Sequence, residues 1–293
     1  MTTQQDRTIV ITGGTGGIGF QSALALAKAG ARVFITGRHQ DRGEAAVKRI
    51  TIQAGNPNIV FVQGDLSSIA HIDDLASKLR KQATQIDVLV NNAGYLGSQL
   101  CESHDGLEMH FAVNVLAPWR LTRAVLPSLQ AAGQARVLNV SGGDKPARID
   151  PDNLQAEKGF KGLMTYTHSK SVMEAMSMVM AQELKPLGVH VNVIFPGRAS
   201  TAMTQSLSPA SLPGAMKLMY PLFRLLFKED GGKSAAKAAR STIWGATSPE
   251  LEGISGAYFD THTKEQKLHA TAYDATVHSR IREVIEAAES ASK

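Results

Sequence analysis

A chain of 293 residues, 43% of them hydrophobic, can bury one large α/β core, and its single cysteine, Cys101, excludes an intrachain disulfide framework. The 31 basic and 26 acidic side chains leave a formal charge of +5 spread along the sequence. Basic runs interleaved with aromatics are missing, so no nucleic-acid partner is expected. Residues 1–7 are polar and lack the apolar core of a signal peptide, and no later run reaches the length of a membrane span. A cytoplasmic protein is expected.

Short β-branched runs at 7–12, 32–36, 58–63, 87–91, 136–141 and 189–195 predict buried parallel strands. Segments 22–29, 43–50, 69–83, 108–131 and 165–187 carry helical spacing, with Gly30, Gly55, Gly133 and Gly188 placed as stops. A last strand at 256–259 and a helix near 277–288 close the chain. Repeated β-α-β units require right-handed crossovers. They predict a Rossmann-type α/β fold: a single domain over 1–293 with a doubly wound, mostly parallel sheet and helices on both faces. A ligand in such a sheet lies beyond the carboxyl ends of the strands, and Gly13, Arg38, Asp65, Asn91, Ser141 and Pro196 all fall at or just after a predicted strand end.

Thr12-Gly13-Gly14-Thr15-Gly16-Gly17-Ile18-Gly19 follows the first strand directly and opens an alanine-rich helix. Glycines at 13, 17 and 19 let the chain turn tightly and bring its backbone against a pyrophosphate, with unpaired N–H groups at the helix's positive end to receive it. Thr15 and Ile18 in the same turn join them as candidate cofactor-binding residues. After the second strand, where an NAD site would place an acid, Arg38 stands instead. A guanidinium pairs with a 2′-phosphate, so the predicted cofactor is NADP(H), although Arg38 could simply be solvated.

Tyr166-Thr167-His168-Ser169-Lys170 puts a phenol and an ammonium on one helical face. The cation is expected to lower the phenol pKa from about 10 toward neutrality, suiting proton exchange with a substrate oxygen. Taken alone, the pair also fits an ordinary exposed helix face. Met173, Met176 and Met180 are expected in the core or an interface, and His168 toward solvent. No His, Cys or carboxylate cluster has metal-ligand spacing, so no metal is expected.

The glycine turn, Asn91-Asn92-Ala93-Gly94, Asn114, Ser141, the Tyr166/Lys170 pair and Pro196-Gly197 occur in one order that resembles the short-chain dehydrogenase/reductase family, from about residue 8 to the C-terminal helix. Glu157-Lys158 and Ser255-Gly256-Ala257-Tyr258-Phe259 look like its retinol dehydrogenase branch. The resemblance implies Tyr166 as acid/base and Lys170 as holder of the nicotinamide ribose. It implies Asn114 as anchor of a relay water, and Asp65 and Leu66 as adenine contacts. Asn91, Ala93 and Gly94 would line the cofactor, and Pro196, Gly197 and Thr201 would meet the carboxamide. Asp65 could instead be a helix cap and Asn114 a buried amide satisfied by helix backbone.

Ser141 is expected to orient the substrate oxygen, with a reservation. The family carries two serines here and uses the second, whose position is Gly142 in this chain. Neighbouring strand residues face opposite ways, so Ser141 can substitute only if the backbone bends at the glycines. Otherwise it satisfies a local backbone group.

Residues 202–230 carry Met203, Leu207, Leu212, Met216, Leu218, Met219, Tyr220, Leu222, Phe223, Leu225, Leu226 and Phe227, broken by Pro209, Pro213 and Pro221. The resemblance makes this a substrate lid, and its apolar character implies a small lipophilic alcohol, aldehyde or ketone. Core packing, a homo-oligomer interface, and a less favoured shallow membrane contact with Arg224 and Lys228 at its rim stay open. The expected function is NADP(H)-dependent hydride transfer to or from such a substrate. The alternative is an NADP(H)-binding regulatory or scaffold protein without catalysis.

Overall fold

The computed structural model describes residues 3–142, 146–212 and 214–292. Pro213 and the side chains of Met216, Phe223 and Leu226, counted above in the lid, lie outside the described residues. Every predicted apolar run is a strand: β1 (Thr8–Ile11), β2 (Arg32–Gly37), β3 (Ile59–Gln63), β4 (Val88–Asn91), β5 (Ala135–Val140), β6 (Val189–Ile194) and β7 (Tyr258–Phe259), with an unpredicted β8 (Glu265–Gln266). They form one sheet in the order β3-β2-β1-β4-β5-β6-β7-β8, parallel except for the last pair. Ile9 of β1 stands opposite Val33 of β2 on one flank and Val88 of β4 on the other. After β1 the chain builds outward through β2 and β3, then returns to place β4 on the opposite flank. That reversal opens a crevice at the carboxyl ends of β1 and β4.

The two-residue alternation of β1 feeds two cores. Ile9 and Ile11 pack with Phe20 and Leu26 of α1 (Gly17–Lys28), Ala46 and Ile50 of α2 (Gln40–Ala54), and Ala239 and Ala246 near the sequence end. Val10 points the other way, into a core with Leu75 and Leu79 of α3 (Ile69–Gln82). Between β4 and β5 run the short α4 (Met109–Phe111), a π-helical turn (Ala112–Leu116), α5 (Ala117–Ala124) and α6 (Leu126–Gln130). The single predicted helix over 108–131 is thus broken twice, by the π turn and ahead of Pro127, whose ring cannot continue the hydrogen-bond ladder.

α7 (Leu163–Leu184) carries the Tyr166 segment and is buried without interruption from Ser169 to Ala181, because it lies between the sheet and the C-terminal helix. Met173, Met176 and Met180 are core residues, as expected. The short α8 (Ala202–Gln205) and α9 (Tyr220–Leu226) precede α10 (Lys233–Thr247), a helix that the sequence reading did not contain, and α11 (Ala275–Ala291) closes the chain.

Candidate active site

The glycine turn sits at the strand-order reversal, and two side chains lash it there. The Thr12 hydroxyl accepts from the N–H groups of Asn92 and Ala93, both at 3.0 Å, and Asn92 Nδ2 donates to the Thr12 carbonyl at 2.9 Å. Gly13 and Gly17 hold φ of 66° and 53°, a region that L side chains enter at a cost. A Cβ at Gly19 would stand 2.5 Å from both Asn92 Nδ2 and the Gly13 carbonyl oxygen. Gly19→Ala is therefore expected to lose about 1–3 kcal/mol of stability and to weaken dinucleotide binding, as a thermal melt and an NADPH titration would report. α1 starts with no side-chain cap and no acid in its first turn, so its leading N–H groups are left for an anion. Thr12 and Asn92 stand inside the two sequence motifs but carry no assigned role there. Their roles depend on two strands meeting, which no local pattern displays.

The rest of the cofactor row is mixed. Arg38 is exposed beyond β2, with its carbonyl accepting from Gln63 Nε2 at 3.0 Å. Asp65 accepts from the Ser67 N–H at 3.0 Å, and it is Ser68 that caps α3, so the helix-cap alternative for Asp65 does not hold. Leu66 packs half-buried against the core. Asn91 corrects its expectation in part: its side chain donates to Asn139 Oδ1 at 2.8 Å and to Thr122 Oγ1 at 3.3 Å, inside the interface between sheet and helix. What Asn91 can offer a ligand is backbone.

Tyr166 and Lys170 lie one turn apart on α7 at 7% and 4% exposure. Lys170 Nζ donates to the Val140 carbonyl at 3.0 Å. A Cβ at Gly94 would lie 3.5 Å from Lys170 Nζ and 3.4 Å from Asn114 Oδ1, so these three residues converge. Asn114, in the π turn, accepts from the Tyr95 N–H at 2.8 Å and donates to the Tyr95 carbonyl at 3.0 Å and Ser169 Oγ at 2.9 Å. It clamps the loop after β4 to α7, and its amide partners are that loop and Ser169.

The electrostatics depart from the sequence expectation. Burial pushes the Tyr166 phenol above its ordinary range rather than below it. Burial also draws Lys170 down to about 8, opposed by the charge of Glu174. Enclosure disfavours both charged forms.

Ser141 and Gly142 exchange their expected parts. The Ser141 hydroxyl donates to Glu174, a buried carboxyl on α7, instead of a local backbone group. It is residue 142 that faces the phenol: a Cβ there would overlap the Tyr166 hydroxyl and stand 3.0 Å from Cζ. Strand alternation prevails, and the backbone does not bend to bring Ser141 round. Glu174 was not foreseen, since a Glu one turn after a Lys reads as a surface pair.

One aromatic cluster, centred on His110, lies beside the phenol. His110 lies 6.4 Å from Tyr166, 5.0 Å from Tyr95 and 5.6 Å from Phe160, ring centre to ring centre. Its Nδ1 is 2.6 Å from Glu108 Oε1 while Nε2 accepts from the Gly97 N–H at 3.1 Å, which assigns the ring hydrogen to Nδ1. His168 is half-buried rather than solvent-facing, accepting from the Asp150 N–H at 3.1 Å, and burial lowers its proton affinity.

Beyond β6, Pro196 is buried, and Gly197 at φ 79° leaves room for Thr261, whose Cγ2 would be 2.7 Å from a Cβ there. Thr201 caps α8 by accepting from the Thr204 N–H at 3.3 Å, and its methyl lies against Gly17, 3.0 Å from where a Cβ would be. That contact brings the segment after β6 over the glycine turn. The apolar lid divides: Leu207 and Leu212 are buried, whereas Leu218 is 85% and Leu225 69% exposed. A hollow of about 200 Å³ lies under it, lined by Leu207, Tyr220, Arg224 and Phe227. A larger one of about 870 Å³, around Thr8, Arg32, Gly55 and Asn58, opens at the amino ends of the strands, away from every group above. Size alone does not mark the site; the convergence of polar groups does.

Residues 7–211 match the family model for short chain dehydrogenases, and the chain belongs to the short-chain dehydrogenase/reductase family of oxidoreductases, on its retinol dehydrogenase branch. It is 33% identical to mouse retinol dehydrogenase 13 over 87% of this chain and 75% of that protein. It is 30% identical to human polyprenol dehydrogenase over 91% and 80% of the two. Among solved structures it resembles an uncharacterised Mycobacterium paratuberculosis protein, with a TM-score of 0.75 at 21% identity over 99% and 96% of the chains, a likeness of fold. It also resembles the Pseudomonas aeruginosa RhlG/NADP active-site complex, with a TM-score of 0.64 at 26% identity over 88% and 95%. Among the described residues, no helix is long and apolar enough to cross a membrane.

Proposed function

We propose that this chain is an NADP(H)-dependent oxidoreductase acting on a lipophilic alcohol, aldehyde or ketone, with Tyr166 exchanging the proton at the substrate oxygen. The observation that carries the reading is the burial of Tyr166 and Lys170 on one turn of α7, with Lys170 Nζ converging with Asn114 on Gly94 just beyond β4, the strand that pairs with β1 ahead of the glycine turn. The glycine turn fits a dinucleotide, because positive φ at Gly13 and Gly17 and the close packing at Gly19 fold the loop tightly at the uncapped start of α1, whose N–H groups can receive a pyrophosphate. Gly13, Thr15, Gly17, Ile18 and Gly19 would hold the pyrophosphate, Arg38 the 2′-phosphate, and Asp65 and Leu66 the adenine. Asn91, Ala93 and Gly94 would contribute backbone, Lys170 would hold the ribose, and Pro196, Gly197 and Thr201 the carboxamide. When bound, NADP(H) supplies or accepts the hydride at the substrate carbon.

The protein's own part is proton handling and exclusion of water. Burial keeps the Tyr166 phenol protonated at neutral pH, ready to donate to a carbonyl oxygen as negative charge develops there. Lys170 as an ammonium stabilises the phenolate left behind, and the His110 ring beside the buried phenol helps to keep the exchange dry. NADPH oxidation by the purified chain across a panel of apolar aldehydes and ketones tests the reading. Turnover with several of them is the expected result.

A second reading, a dinucleotide-binding scaffold without catalysis, draws on one observation: Ser141 is engaged by Glu174 and Gly142 brings no hydroxyl. It predicts NADPH binding with no oxidation over the whole panel. The wild-type panel separates the two, and Gly142→Ala tests the catalytic reading further. A methyl there would displace the Tyr166 hydroxyl, so an enzyme is expected to lose turnover about 10- to 100-fold with NADPH affinity unchanged. Wild-type turnover in that variant would show that the phenol does not act from its present place.

A further inference from the structure

We infer that Glu174, held by the Ser141 hydroxyl, is a positioning residue of this site: its carboxylate is the internal counter-charge that keeps Lys170 an ammonium, and so sets the alkaline limit of cofactor binding and turnover. The inference rests on the reading of Lys170 just proposed. Glu174 is 2% exposed, and burying a carboxyl so deeply is costly unless something nearby requires it. The groups facing it among the described residues are few. Ser141 donates to it from β5, and Lys170 favours its charged form from one turn earlier on α7. On the same side of the sheet its charge also reaches Tyr258 of β7, whose phenol is raised by burial and, after that, by Glu174 and Asp260. Lys170 in turn faces the Val140 carbonyl, the amide oxygen of Asn114 across Gly94, and Glu174, with Tyr166 one turn before it on α7.

The signs follow from that arrangement. Burial brings the Glu174 carboxyl up to about 7 and draws Lys170 down to about 8, while each charge favours the other. Above pH 7 Glu174 is a carboxylate and lifts the proton affinity of Lys170. Without it, burial alone acts on the ammonium, which is then lost at lower pH. Ser141 favours the carboxylate by donating to it, so the serine acts on Lys170 through Glu174. Protonating Glu174 at acid pH leaves Lys170 charged, so only the alkaline limb should respond.

The test is NADPH affinity, read by quenching of protein fluorescence from pH 6 to 9.5, in wild type, Glu174→Gln, Ser141→Ala and Ser141→Thr. The titration of the nucleotide phosphate is common to all four and cancels in the comparison. Glu174→Gln is expected to bind as wild type does at pH 6 and to shift the alkaline midpoint down by about 1 unit, up to a tenfold weaker binding above it. Ser141→Ala should shift it the same way by less, and Ser141→Thr, which restores the hydroxyl, should bring it back. An unmoved midpoint in Glu174→Gln, or a loss of affinity equal at every pH, would overturn the inference and leave Glu174 a packing residue. Because binding is read directly, this outcome is separate from that of the turnover assay: a wild type that binds NADPH and oxidises none would defeat the proposed function, while the midpoints would still decide the role of Glu174.

Discussion

Tyr166→Phe is expected to bind NADPH as tightly as wild type and to lose turnover about 10²- to 10⁴-fold, the range that positioned acid–base groups supply. The phenol oxygen is the only atom removed. It lies against Gly142 and beside the His110 ring rather than in the glycine turn, so the cofactor cradle is untouched. The ring keeps its buried contacts, so a thermal melt should stay close to wild type. Steady-state kinetics with an apolar aldehyde, paired with an NADPH titration, makes the measurement. Full turnover in the variant would remove Tyr166 from the chemistry.

The second large effect concerns cofactor choice. Arg38→Glu replaces an exposed cation at the end of β2 with an acid and is expected to weaken NADPH binding about 10- to 100-fold while sparing or improving NADH. A charge-assisted hydrogen bond to the 2′-phosphate would be lost and replaced by repulsion. A carboxylate there would accept from free ribose hydroxyls instead. Parallel titrations with both nucleotides read the switch. An unchanged ratio between them would mean that Arg38 stays in solvent and that NADP selectivity lies elsewhere.

The parallel sheet was legible because strands buried on both faces read as continuous apolar runs, and each lay between helical segments. α10 escaped notice because its buried face is built from Ala235, Ala238, Ala239 and Ala246, which pack closely but give a weak hydrophobic signal. β8 is two exposed polar residues whose strand character comes from pairing with β7, not from propensity. In the site, Tyr166, Lys170 and the glycine turn could be found by spacing, since helix and turn geometry are local. Thr12, Asn92, Thr261 and Glu174 could not. Each acts across elements distant in sequence, and the Lys170 to Glu174 interval looks like solvent-facing i,i+4 pairing until α7 is seen to be enclosed on all sides. The turn of Ser141 toward Glu174 likewise depends on which face of β5 meets α7.

The most direct test of hydride transfer with Tyr166 and Lys170 at its centre uses NADPH deuterated at C4 of the nicotinamide, on one face or the other. The wild-type chain is supplied with apolar aldehydes and the products are read by mass spectrometry. One deuterium on the carbinol carbon of the product, from one face only and formed about 10²- to 10⁴-fold more slowly with Tyr166→Phe, is the predicted result. Bound cofactor with no label in any product, or equally fast labelling with the variant, would contradict it.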